Sequence, residues 1–210
     1  MALPDRVQLH GRLPARHQHH ARHPRGLERH HGARVLTADE PLPDEEQPRP
    51  VVERLLIRTD GAARGNPGPA SCGAVLIDAS KPGFDDPDAL PVAVVARALG
   101  HRTNNVAEYA GLVLALREAH RLSAQEVDLR LDSKLIVEQL NGRWRVKDAK
   151  LQGLFAEAVR HLKGFRRWKA THEPRARNRA ADALANLALD DPMGAARLER
   201  HVRERSLGLA

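Results

Sequence analysis

This 210-residue sequence has only one cysteine and no long apolar run. Its single cysteine, Cys72, excludes an intramolecular disulfide framework, is typical of a reducing compartment and gives no basis for a disulfide-linked partner. No run approaches the ~20 apolar residues that a membrane-spanning helix needs, and the N-terminus has no continuous apolar segment of the kind found in secretion signals. We therefore expect a cytoplasmic protein that does not associate with a membrane.

Apolar periodicity is missing from residues 1–50, which hold seven of the twelve histidines together with many arginines and several prolines. This composition predicts a disordered His/Arg-rich arm that ends in a Pro-rich linker. Residues 1–34 carry a net charge of +5, so we expect them to add non-specific affinity for a polyanion, whereas residues 35–50 carry −4. Four histidines could hold Zn²⁺ or Ni²⁺, although no nearby cysteine or fixed scaffold supports such a site. They are His17, His19, His20 and His23.

Apolar residues do recur periodically from Leu55 to Leu189, which predicts one domain over residues 51–190 and a short C-terminal tail over residues 191–210. The segment from 51 to 190 has 22 basic and 17 acidic residues, a net charge of +5. If four of the acids form a metal site, the remaining surface carries +9. Such a surface favours a nucleic acid partner, although the charge could also serve solubility alone.

Three short apolar runs predict strands that form an antiparallel meander. The glycines and prolines of residues 61–69 predict a turn between the first two strands. This turn lacks the Gly-Lys-Ser/Thr ending of a P-loop, which excludes that kind of nucleotide site. The predicted strands are Glu53–Asp60, Cys72–Ile77 and Val92–Leu99.

Helical spacing begins after Thr103, behind an Asn104-Asn105 start signal, and Ser133 is a good N-cap for a second helix. Strands that alternate with helices imply an α/β fold in which helices cover a mixed sheet. The predicted elements are a helix to about Ala119, a strand Val127–Leu131, a helix to about Leu140, a helix Ala149–Leu162, a strand Phe165–Ala170 and a helix from about Arg177 to Leu189.

Four acids stand where a metal-dependent site would need them. Asp60 and Asp132 each close a short strand, so their carboxylates share one edge of the sheet if the two strands are parallel neighbours. Glu108 lies on the apolar stripe of its helix, where a carboxylate is costly unless it is paired or bound to metal. Asp182 lies early in the last helix among alanines, small residues that let another backbone or a ligand approach.

Each acid taken alone also has an ordinary structural explanation. The alternatives are a turn start for Asp60, a capping role for Asp132, a salt bridge to Arg102 or Arg117 for Glu108 and a solvated position for Asp182. Four carboxylates that converge without a lysine partner, however, need divalent cations, and hard oxygen ligands suit Mg²⁺ or Mn²⁺. Two such ions about 4 Å apart can activate a water and stabilise the leaving oxygen of a phosphodiester.

Five motifs occur in a fixed order along the chain. They are Thr59-Asp60-Gly61, Gly65-Asn66-Pro67-Gly68-Pro69, Thr103-Asn104-Asn105-Val106-Ala107-Glu108, Leu131-Asp132-Ser133, and His172 followed ten residues later by Asp182. In order, spacing and predicted context this set resembles the type 1 ribonuclease H family over about residues 53 to 190. The Thr-Asp-Gly triplet alone is weak, but the complete set is specific.

The resemblance implies a ribonuclease H-like fold, a five-stranded mixed sheet with helices on both faces. It implies an endonuclease that cuts the RNA strand of RNA–DNA hybrids, leaves 5′-phosphomonoesters, and uses two Mg²⁺ ions, with Mn²⁺ as a possible substitute. The implied metal ligands are Asp60, Glu108, Asp132 and Asp182. His172, expected in a loop, would assist proton transfer or product release. The implied substrate contacts are Asn66, Thr103, Asn104, Asn105 and Asn178.

Two features depart from the family pattern. Some relatives carry an extra basic helix that grips the hybrid, whereas here only residues 141–147 occupy that place. Lys134 stands where some members have a polar amide. Trp144 could stack on a sugar or base, but a packing role is favoured for it, and Trp168 is expected in the core.

Two other functions remain open from the sequence. The first is a nuclease of the same fold that cuts another nucleic acid. The second is a non-catalytic nucleic-acid-binding module, which four concentrated acids opposite phosphates argue against. We expect a monomer in either case.

Overall fold

The computed structural model describes residues 51–209, so the predicted arm and linker, with their histidines, lie outside the described residues. In this part of the chain a five-stranded sheet has the order β3-β2-β1-β4-β5. The elements are β1 Arg54–Ala63, β2 Gly68–Asp78, β3 Ala93–Arg102, α1 Asn104–Arg121, β4 Glu126–Leu131, α2 Lys134–Leu140, α3 Ala149–Leu162, β5 Arg167–His172, a 3-10 turn Arg175–Arg177, α4 Arg179–Asp190 and α5 Pro192–Ser206.

The sheet is mixed, as predicted. β1, β2 and β3 form the antiparallel meander, while β4 pairs in parallel with β1 on one side and with β5 on the other. The carboxyl ends of three parallel strands, β1, β4 and β5, therefore lie at one edge of the sheet, where open α/β sheets place their sites.

Helices cover both faces of the sheet because alternate residues of a strand point to opposite sides. Leu55 and Ile57 of β1 pack in the larger core with α1, α2 and α3, whereas Leu56 packs in a second core with α4 and α5. The predicted α/β class is thus confirmed. None of the helices within residues 51–209 combines the length and the apolarity needed to cross a bilayer.

The first two strands are longer than their sequence pattern predicts. Gly61 pairs with Cys72 and Ala63 pairs with Ala70, so only residues 64–67 remain as the turn between β1 and β2. Glycine weakens a strand but does not prevent it from pairing. Here the hydrogen bonds to the neighbouring strand extend β1 through Gly61. His172, predicted in a loop, is instead the last residue of β5.

The C-terminal residues do not form a tail, which corrects the sequence prediction for residues 191–210. α5 packs on the edge strand β3 and on α4, and it buries Ala195 and Val202. The carboxylate of Glu199 accepts a hydrogen bond from the backbone N–H of Ala96 at 2.6 Å. β3 is an edge strand, so within residues 51–209 no further strand lies beside its outer side to accept this hydrogen bond. The Glu199 carboxylate therefore satisfies a backbone donor that the sheet leaves unpaired. α5 has too few apolar residues for their spacing to predict a helix in the sequence.

Helix starts follow the expected signals with one shift. Thr103, rather than Asn104 or Asn105, is the N-cap of α1, and its hydroxyl accepts from the N–H of Val106 at 3.4 Å. Ser133 occupies the N-cap position of α2, but its side chain makes no capping hydrogen bond. The Ser133 hydroxyl is therefore available to a neighbouring group.

Candidate active site

Three of the predicted site residues meet at the carboxyl edge of the parallel strands. The β1–β4 register pairs Leu56 with Asp128, and the same offset places Asp60 beside Asp132, just beyond the last paired residues. His172 ends β5, and its Nε2 lies 3.1 Å from the backbone oxygen of Asp132. The strands of Asp60 and Asp132 are parallel neighbours, which is the condition under which the sequence placed their carboxylates at one edge.

Two glycines allow the helices to carry the other two acids to this edge. A Cβ at Gly61 would lie 2.3 Å from the backbone nitrogen of Glu108, and one at Gly73 would lie 2.2 Å from the carbonyl oxygen of Ala181. Only a residue without a Cβ permits these approaches. α1 therefore brings Glu108, and α4 brings Asp182, against the sheet beside Asp60.

The four carboxylates line one open cavity of about 550 Å³. The walls of the cavity are mostly polar. Its polar and charged lining residues are Asp60, Asn104, Glu108, Asp132, Ser133, His172, Arg175, Asp182 and Asn186.

Each carboxylate accepts a hydrogen bond from its own donor. Asn104 Nδ2 donates to Glu108 at 2.9 Å, and the N–H of Gly61 donates to Asp60 at 2.9 Å. Asn178 Nδ2 donates to Asp132 at 3.1 Å, and Arg175 Nη2 donates to Asp182 at 2.9 Å. With the side chains held in this way, residues 51–209 contain no ready-made cluster of three or more metal-ligating groups.

These contacts decide between the alternatives that the sequence left open for Glu108. Within residues 51–209, no ion pair joins Glu108 to Arg102 or Arg117, and its partner is the amide of Asn104. Its second oxygen, Oε2, is buried without a hydrogen-bond partner in the described part of the chain. A buried, unpaired carboxylate oxygen is costly, so it marks a place where a cation would be stabilising.

The electrostatics of the cavity also call for positive charge. Burial, with the negative charge of Asp132 and a contact from Asp182, raises the pKa of Asp60 to about 7. Burial likewise raises the pKa of Glu108 and of Asp132. Carboxylates with raised pKa values are short of counter-charge, and a hard divalent cation with oxygen preference would supply it. The donor set therefore fits Mg²⁺ or Mn²⁺.

The remaining predicted contacts lie around the cavity rather than in its wall. Asn66 is exposed, and its Oδ1 accepts from the N–H of Asn104 at 3.1 Å, so it holds the start of α1. Asn178 is buried and donates to Asp132 and to the carbonyl of Thr59. Thr103 caps α1, and Asn105 is exposed on its first turn.

Sequence reasoning missed three polar or charged residues of the wall, Ser133, Arg175 and Asn186. Asn186 lies four residues after Asp182 and donates to both its backbone and its carboxylate oxygens, so helical spacing was a usable signal. Arg175 had no such signal, because it belongs to a basic stretch between His172 and Asp182 in which no spacing singles it out.

The two tryptophans differ in their surroundings. Trp168 packs against the larger core, as expected. Trp144 is 47% exposed, which corrects the packing role favoured for it from the sequence. The other alternative for Trp144, which lies between Arg143 and Arg145, is stacking on a sugar or base, and it stays a prediction.

The five-stranded sheet is mixed and has the order β3-β2-β1-β4-β5. Acids from β1, α1, the end of β4 and α4 lie at one of its edges. Together these features define a ribonuclease H-like protein. The sequence comparisons agree, because residues 58–188 match the family model described as reverse transcriptase-like. The chain belongs to this family and, within it, to the type 1 ribonucleases H.

Individual relatives show how far the similarity extends. The chain is 44% identical over 137 residues to a bifunctional protein of Mycobacterium tuberculosis, covering 65% of this chain and 36% of that protein. It is 45% identical over 138 residues to ribonuclease HI of Halobacterium salinarum, covering 66% of this chain and 65% of the relative. The chain thus spans about a third of the length of the mycobacterial relative it matches.

A solved structure gives the same picture for the fold. The structure of LC11 ribonuclease H1 in complex with an RNA/DNA hybrid is 35% identical, with a TM-score of 0.59 over 66% of this chain and 99% of that one. These relatives thus align with about two thirds of this chain, and the family model matches residues 58–188.

Proposed function

We propose that this chain is an endonuclease that hydrolyses the RNA strand of RNA–DNA hybrids and leaves 5′-phosphomonoesters. The observation that carries the proposal is the convergence of Asp60, Glu108, Asp132 and Asp182 on one open cavity. The hybrid bound to the LC11 ribonuclease H1 relative supports the choice of substrate. The basic surface of the domain, net +5 over residues 51–190, suits a polyanion.

Two divalent cations, Mg²⁺ or Mn²⁺, would be held by the four carboxylates and would activate a water and stabilise the leaving oxygen of the phosphodiester. The unpartnered Oε2 of Glu108 and the raised pKa of Asp60 are the features of this chain that fit them. Asn104 and Asn178 orient Glu108 and Asp132 for this task through their amide groups.

In the proposed reaction His172 moves a proton. Its Nε2 faces the backbone oxygen of Asp132 at 3.1 Å, and a carbonyl oxygen only accepts hydrogen bonds. The Nε2 atom therefore carries the proton, and in the neutral ring Nδ1 is the free acceptor that can take one. The backbone contact also fixes the ring at the edge of the cavity.

Recognition of the hybrid would use the polar groups around the cavity mouth. Asn66 and Asn105 are exposed near the start of α1, and asparagine amides can contact base edges and 2′-hydroxyls in a wide minor groove. Trp144 offers a stacking surface in the segment where some relatives have a basic helix.

The test is a cleavage assay with end-labelled RNA–DNA, RNA–RNA, DNA–DNA and single-stranded substrates, with and without Mg²⁺. We expect Mg²⁺-dependent cleavage of the hybrid's RNA strand alone, and its loss in Asp60→Asn and Asp132→Asn, which remove a ligand but no core volume. Asp88→Asn, an exposed acid paired with Arg179, is the matched control and should cleave normally.

Each alternative function has its own outcome in this assay. Cleavage of duplex DNA in preference to the hybrid would identify a nuclease of another specificity. Binding without cleavage in any metal would identify a binding module. More than a few per cent of wild-type activity in Asp60→Asn would contradict the two-metal assignment.

A further inference from the structure

Arg175 is the cationic residue of the cavity. It opens the 3-10 turn between β5 and α4, and of the described residues that line the cavity it alone is an arginine or lysine. Its Nη2 donates to Oδ1 of Asp182 at 2.9 Å. The charges of Asp182, Asp60 and Asp132 all raise the pKa of Arg175. The charge of Arg175 in turn lowers the pKa of Glu108, so one guanidinium acts on all four carboxylates.

The attachment of Arg175 is loose compared with that of other charged groups nearby. Its side chain is 77% exposed, and its ion pair within residues 51–209 is with Asp182 alone. Arg58, by contrast, is 1% exposed and paired with the buried Glu173. Arg175 can therefore leave Asp182 without disturbing the core.

A divalent cation and Arg175 would require the same oxygen. Oδ1 of Asp182 accepts a hydrogen bond from the guanidinium in the structure. A carboxylate that binds a metal ion attracts a second cation less strongly, because the metal neutralises part of its charge. A released guanidinium beside the cavity is suited to a phosphate, which it binds in a planar, bidentate manner.

We propose that Arg175 is an internal counter-cation that competes with the divalent ion for Asp182 and, once displaced, binds a phosphate of the substrate. The proposal rests on the metal site of the proposed function. It predicts opposite effects of removing the guanidinium: metal binding becomes tighter, whereas substrate binding becomes weaker. A purely structural role would weaken both.

The first test is titration calorimetry of Mg²⁺ and of Mn²⁺ binding to the full chain without substrate. Arg175→Gln should bind either ion about two- to five-fold more tightly, the range for one exposed ion pair. Arg179→Gln removes the same charge from a position that pairs with Asp88 outside the cavity wall, and should bind the ions like the parent protein. Arg175→Lys keeps the charge and should fall between the parent and the glutamine variant.

The second test measures hybrid binding in Mg²⁺ as a function of salt, with a 2′-O-methylated RNA strand that resists cleavage, so that all four metal ligands stay in place. Arg175→Gln should weaken binding and reduce the slope of log affinity against log salt by about 0.9, the contribution of one phosphate contact. An unchanged slope would overturn the phosphate part of the proposal.

The outcomes separate this proposal from the proposed function. If the parent protein binds neither ion and does not cleave, both are overturned. If the parent binds metal and cleaves, but Arg175→Gln binds metal with equal or lower affinity, only the counter-cation is wrong. Circular dichroism of each variant verifies that the fold is retained.

Discussion

Arg58 donates from Nε to Oε2 of Glu173 at 2.8 Å, and both side chains are buried. Arg58 precedes Asp60 by two residues on β1, and Glu173 directly follows His172. Arg177 donates to the other carboxylate oxygen of Glu173 at 2.9 Å. This ion pair therefore ties the strand of one site residue to the segment that joins β5 to α4.

Removing the acid of this pair should be strongly destabilising. We expect Glu173→Ala to lower the free energy of unfolding by about 3–5 kcal/mol, because it removes the buried partner of Arg58 and, among residues 51–209, leaves that guanidinium only the half-exposed Asp85 at 3.6 Å. The double variant Arg58→Met with Glu173→Leu should recover most of the loss, since an apolar pair leaves no buried charge. Urea unfolding measures both. A Glu173→Ala variant within 1 kcal/mol of the parent would show that the pair contributes little.

The same pair has a predictable pH dependence. Burial raises the pKa of Glu173, but the hydrogen bonds and charges of Arg58, Arg177 and Arg130 outweigh burial and hold this pKa below its ordinary value of 4.5. A carboxyl whose folded pKa is lowered stabilises the protein fully above its unfolded pKa and loses that contribution as pH falls through the folded pKa. The stability difference between the parent and Glu173→Gln should therefore be constant near neutral pH and shrink below about pH 4.5.

A methyl group at Gly61 should be poorly tolerated. Its Cβ would lie 2.3 Å from the backbone nitrogen of Glu108, so α1 must move away from β1. We expect Gly61→Ala to lose about 1–3 kcal/mol of unfolding free energy or more. Gly153→Ala is the matched control, because a Cβ there meets no atom within 4 Å and alanine is the better helix former; it should be about 0.5–1 kcal/mol more stable than the parent. Equal stability of the two variants would contradict the close approach.

Replacing His172 should slow turnover without weakening hybrid binding. A side chain that assists proton transfer or release typically contributes about 10²–10⁴-fold to the rate, so kcat of His172→Ala should fall within that range while KM stays near the parent value. His101→Ala, an exposed histidine on β3, is the control and should leave kcat unchanged. A His172→Ala enzyme with the parent's turnover number would remove His172 from the mechanism.

The thiol of Cys72 should be unreactive in the folded protein. Cys72 is fully buried, and burial raises the pKa of its thiol to about 12. Since the thiolate is the reactive form, an aromatic disulfide reagent at pH 8 should label the thiol only after unfolding in urea. Rapid labelling without denaturant would contradict this burial.

Much of the site could be predicted because its signals are local. Asp60 and Asp132 each close an apolar run, and Glu108 shares the helical spacing of buried neighbours, so each position follows from a few adjacent residues. The alanines around Asp182 indicated close packing, and Ala181 does lie against Gly73. Strand ends were less predictable, because the partner strand extends β1 through Gly61.

The sequence alone determined the class of fold, the order of the strands and helices from β1 to α4, and the four acids, because apolar period and motif spacing are properties of the chain itself. Tertiary structure decided what each acid contacts. Arg175 reaches Asp182, Asn178 reaches Asp132, and α5 covers the edge of β3 through Glu199. No apolar spacing or motif links the two residues of each contact. They come within hydrogen-bond distance only after the sheet and its helices have packed.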